Sequence, residues 1–130
     1  MIEANRAELL LSLGQFDDAV ASCDNAFAIA VDRGDKLNAA EALKRRGEVE
    51  RHRGRCSNAR ITLTAAKALA DECEDALLGA EILRELAHVC EMDGKRDDAR
   101  EAWSAAHEKF ITLGAAPDAT SAIRYLRLMR

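Results

Sequence analysis

LGQFDDAVASCDNA (Leu13 to Ala26), RGRCSNARITLTAA (Arg53 to Ala66) and DGKRDDAREAWSAA (Asp93 to Ala106) align without a gap. Gly14, Gly54 and Gly94 stand at one constant interval, and so do Ala19, Ala59 and Ala99, and Ala26, Ala66 and Ala106. Upstream, Ala7, Gly47 and Ala87 keep the same register. Four columns of small residues at one period define an internal repeat. The glycine column weighs most, because the chain has only seven Gly.

Each Gly is placed where one helix ends in a left-handed cap and the next begins. Asp17, Ser57 and Asp97, three positions on, are the expected N-caps of the second helices. Those helices carry apolar residues at helical spacing. In the first unit they are Ala19, Val20, Cys23, Ala26, Phe27, Ala30 and Val31; in the third, Ala99, Trp103, Ala106, Phe110 and Ile111. The small residues let paired helices approach closely, and Leu63 and Trp103 (Cys23 in the first unit) fill the space beside them.

The reading outward is all-α: about seven helices over 2–13, 17–33, 36–53, 57–73, 76–93, 97–113 and 117–130. Pro117 suits the first turn of the last helix. Short connections make consecutive helices antiparallel neighbours, and stacked hairpins give a right-handed α-solenoid. The units run 1–34, 35–74 and 75–114, with a partial fourth at 115–130. The short first helix and the unpaired last one read as a piece of a longer array, leaving Ile123, Leu126 and Leu128 partly bare; Ile2, Leu9 and Leu10 are expected to share that exposure. The competing reading is a short protein whose last helix caps the stack.

Composition agrees. The 130 residues contain one Pro and 4% aromatics, with a net charge of −4. That balance disfavours a strongly basic nucleic-acid binder and a highly charged disordered tail. No run approaches the roughly 20 apolar residues that cross a bilayer, and no secretory leader is visible. Cys23, Cys56, Cys73 and Cys90 are widely spaced without a CxxC pair, which reads as reduced thiols in the cytoplasm.

The quoted residues resemble the tetratricopeptide repeat family: a small residue midway along the first helix, Gly at the turn, and two Ala seven positions apart on the second helix. Phe16 also fits the aromatic after the turn. Cys56 and Arg96 replace it in the later units, the unit-closing Pro is missing, and the period is 40 rather than 34. The longer period is similar to that of bacterial signalling regulators and kinesin light chains.

The resemblance implies that the first helix of each unit lines a concave, partner-binding groove. Here that places Glu8 in unit one and Glu41, Lys44, Glu48, Arg51 and His52 in unit two. Glu81, Arg84, His88 and Glu91 follow in unit three, and Arg124 in the partial fourth. These side chains are expected to be exposed. Family members that clamp a C-terminal carboxylate use a Lys and Asn arrangement; Glu8 and Glu48 stand where Asn is wanted, which argues against chaperone tails. The competing reading is that the charges merely solvate the groove and pair along the helix, as Lys44 and Glu48 could.

Sharper chemistries find little support. Gly54 interrupts the helix between His52 and Cys56, and His88 and Cys90 point to different faces, so a metal site is not expected. Lys44, Arg45, Arg46, Arg51, His52, Arg53, Arg55 and Arg60 form a basic run, but acids break it and no aromatics interleave for base stacking. No carboxylate is expected in an apolar setting that would raise its pKa, and there is no phosphate loop or nucleophile constellation. The chain therefore reads as a non-enzymatic scaffold without cofactor. It binds a protein or peptide segment in the groove as the sensing part of a larger signalling or transcription regulator. The runner-up is a self-association module, a homodimer through exposed terminal helices; a third reading has the groove sensing a small molecule.

Overall fold

The structure, a computed structural model, describes residues 15–128. The helix expected over 2–13 lies outside them, with Gly14, Glu8, Ile2, Leu9 and Leu10. The described residues form six helices: α1 (Phe16–Asp32), α2 (Lys36–His52), α3 (Cys56–Glu72), α4 (Ala76–Met92), α5 (Arg96–Thr112) and α6 (Ala116–Leu128). There is no strand among the described residues. Each helix packs on the next, and α2 also touches α4 directly. The molecule is an all-α helical repeat.

One turn joins every consecutive pair of these helices. In the first, the N–H of Asp35 donates to the Ala30 carbonyl at 2.8 Å and that of Gly34 to the Val31 carbonyl at 3.0 Å. This doubly bonded closure needs a left-handed residue at its centre. Gly34, Gly54, Gly94 and Gly114 supply it with φ between +66° and +77°, while Glu74 fills the remaining turn at φ +54°. The turn therefore recurs at half the period of the repeat.

Because the turn closes one position past its Gly, the next helix starts two positions past it. Asp17, Ser57 and Asp97 consequently sit inside the first turn and cap nothing. The N-cap positions are Gln15, Arg55 and Lys95, without a side-chain cap bond. The true caps are on the first helices: the Asp35 carboxylate accepts from the Asn38 N–H at 3.0 Å, and Asp75 from Leu78 at 2.9 Å.

Small residues face large ones through the core. Ala59, Leu63, Ala66 and Ala70 of α3 bury against Ala40, Leu78, Ile82 and Val89. Trp103 and Ala99 of α5 pack on Ala87, Cys90 and Ala122. Ala106 and Phe110 pack on Ala80 and Ala119. Trp103, Phe110 and Leu63 are fully buried. Of the expected stripe, Val20, Ala26 and Phe27 are half-buried, while Val31 and Ile111, one position past the buried Ala30 and Phe110, turn to solvent. Ile123 and Leu126 are half-buried and Leu128 is exposed.

Candidate protein-binding face

The first helices α2, α4 and α6 carry the face. The neighbouring first helix covers part of the row expected from sequence, so these side chains are mostly half-buried rather than exposed. Only His52 and Arg124 of the described candidates are open, and Lys44 is just 6% exposed. Ion pairs step along the stack. Lys44 Nζ lies 3.3 Å from Glu41 and 3.6 Å from Glu81 on α4. Arg51 Nε donates to Glu85 at 3.0 Å, and Arg84 Nη1 to Asp118 of α6 at 2.9 Å. Arg45 approaches Glu41 and Glu48 at 3.5 and 3.7 Å. The Lys44–Glu48 pairing considered from sequence gives way to these. Glu85 and Asp118 lie outside the row that the sequence picks out, although both follow the Arg they meet by the same number of positions.

His88 is wedged at the far end. Its ring meets Trp103 and Tyr125 edge-on, with centroids 4.9 and 5.3 Å away, while Trp103 and Tyr125 stack in parallel at 4.4 Å. Burial lowers the His88 pKa, and the Arg51 cation adds to this against Glu85. Glu91 Oε2 is 3.8 Å from His88 Nδ1. Trp103 Nε1 is buried without a well-formed hydrogen bond, yet its N–H pulls against the burial that raises the Glu91 carboxyl. Glu48 is raised too, first by burial and then by the like charge of Glu85. Two carboxylates thus sit in the partly desolvated settings that the sequence did not lead one to expect; the neighbouring helix removes the water.

The basic run is dispersed as its helical phase requires. Arg46 reaches Asp24, Arg53 reaches Asp17, and Arg60 reaches Asp98, each on a second helix. Burial pushes the Cys23 thiol up to about 12, and Cys90 is raised for the same reason. Among the described residues no cluster of three His, Cys, Asp or Glu is placed to hold a metal ion, and no helix is long and apolar enough to cross a membrane.

Residues 1–72 match the family described as Tetratricopeptide repeat. The chain belongs to the tetratricopeptide repeat family. No curated protein matches it. Tetratricopeptide repeats generally mediate protein–protein interaction and are a non-enzymatic fold.

Proposed function

We propose that this tetratricopeptide array binds an extended or helical protein segment along α2, α4 and α6, as the sensing part of a longer cytoplasmic regulator. What carries the reading is the half-buried ladder of charges on those helices, above all Glu48 and Glu91. A carboxylate whose pKa is raised by burial gains from an incoming cation, so the segment presents Lys or Arg there amid its own mixed charges. Glu41, Lys44, Arg51, Glu81, Arg84 and His88 hold the surface rigid; His52 and Arg124 stand open at its margins.

The test is selection of short displayed peptides on the intact chain. Glu48→Gln and Glu91→Gln remove charges that burial disfavours, so melting should hold or rise while selected peptides bind about tenfold more weakly. Peptides indifferent to both changes contradict the reading. Self-association is the second reading, favoured by the bare Leu128; a concentration-dependent dimer in sedimentation that survives Arg51→Glu and Arg84→Glu would support it.

A further inference from the structure

The outward row of α3 runs through Asn58, Ile61, Ala65 and Ala68 to Asp71, all exposed, and Ile61 is 71% open to solvent. The repeat places Ala21 and Glu101 at the Ile61 position, and Ala28 and Glu108 at the Ala68 position. Of the three second helices, α3 alone sets a large apolar side chain at this place. Charge is divided between the two ends of its row. α3 has no acid in its first turn, where α1 has Asp17 and Asp18 and α5 has Asp97 and Asp98. Arg55 precedes that turn, while Asp71, Glu72 and Glu74 gather at the opposite end, all exposed. Asp71 is paired with Lys67 at 2.7 Å and Glu72 lies 4.0 Å from Lys36. Neither Arg55 nor Glu74 forms an ion pair among the described residues. Glu74 also holds a left-handed turn position that Gly fills in the other described turns, a conformational cost kept in favour of a carboxylate. The row is balanced about the Thr64–Ala65 peptide: Arg55 and Glu74, Asn58 and Asp71, and Ile61 and Ala68 lie equally far from it along the chain.

We infer that the outer face of α3 pairs with α3 of a second copy of this chain, antiparallel about a two-fold axis through its middle. Ile61 of each copy then sits against Ala68 of the other, and Arg55 against Glu74. The same arrangement lays the acidic C-terminal end of one α3 on the acid-free N-terminus of the other, where the helix dipole favours anions. Charge complementarity selects the occupant. A contact of this symmetry must be complementary to itself, and a second copy carries the matching charges by construction, whereas another protein would have to reproduce them. Further units of the same chain stack on the first and last hairpins of an array, so they leave the outside of α3 open. One helix face buries less than the about 1,200 Å² of stable complexes, so the dimer is weak. The surface is separate from both the groove and Leu128, and the inference does not depend on the reading proposed for the groove.

The test is sedimentation of the intact chain over concentrations reaching the high micromolar range. A reversible dimer is expected. Ile61→Asp should leave a monomer. Arg55→Glu alone, or Glu74→Arg alone, should weaken association at least about tenfold, because each sets two like-charged pairs across the axis. Mixing those two variants in equal amounts should restore the dimer, since every pair then joins opposite charges. All three side chains are exposed, so the dilute variants should melt with the parent chain, which separates lost association from lost folding. Leu128→Ser should leave the dimer intact. A chain that stays monomeric, a dimer indifferent to Ile61→Asp, or single variants that fail to recover on mixing would each overturn the proposal. So would a dimer that Leu128→Ser dissolves, since that assigns self-association to the end of α6 instead.

Discussion

Gly47 couples the repeat to its packing at a single atom. A Cβ there would lie 2.5 Å from Leu63 Cγ and 2.6 Å from Cδ2. Gly47→Ala gains about 1 kcal/mol of helix propensity but overpacks the joint by roughly 1–3 kcal/mol, so urea melts should show a net loss of about 1 kcal/mol. In a Leu63→Ala background the same change should reverse sign and stabilise. Glu74 is the opposite case, a side chain where the other described turns use Gly. Glu74→Gly should raise stability by up to about 1 kcal/mol in thermal melts, by relieving the left-handed strain. His88 carries a pH signature. Its folded pKa lies below the ordinary value of 6.5, so the unfolded chain takes up the proton first. Stability should therefore fall as pH drops from 6.5 toward the lowered value, and His88→Gln should flatten that slope. Arg51, Arg84, His52, Glu85 and Glu91 all face or surround this ring, and their variants should change the slope too.

At the scale of the element, a start set by the turn rather than by the cap explains both what the sequence shows and what it hides. Gly14, Gly34, Gly54, Gly94 and Gly114 all fall in register at half the repeat period, and Glu74 keeps the place between Gly54 and Gly94. Reading only the full-period column places the helices to within about a residue, yet it puts the caps on the wrong set. Asp17, Ser57 and Asp97 look like caps by type, but the closure places them two positions too late. Asp75→Ala should cost about 1 kcal/mol, whereas Ser57→Ala should stay within about 0.5 kcal/mol, both read from chemical denaturation. Asp35 is held below the usual carboxylate range first by the Asn38 N–H and then by its side chain. Its contribution is present above the unfolded pKa near 3.8 and disappears as pH falls through the lower folded value.

Across the whole molecule, the face proposed for binding was legible as a row but not as a ladder. The repeat names the first helices, and their phase names Lys44, Arg51 and Arg84. Which acid each one meets depends on how far one hairpin is rotated and shifted against the next, and that lies in the stacking of Leu63 on Gly47 and Trp103 on Ala87 rather than in any local motif. Burial of Glu48 and Glu91 was hidden for the same reason. Because each unit touches only its neighbours, perturbations should stay local. Arg84→Ala removes the Asp118 pair and the guanidinium 5.6 Å from the Phe110 ring centroid. It should cost about 1 kcal/mol and speed amide exchange in α6 while leaving α1 and α2 unchanged.

The most direct measurement is an amide chemical-shift map of the chain titrated with a groove-selected peptide. Perturbations should concentrate on α2, α4 and α6, strongest around Glu48, His88 and Glu91. Shifts confined to the outer faces of α1, α3 and α5 would contradict binding along those helices.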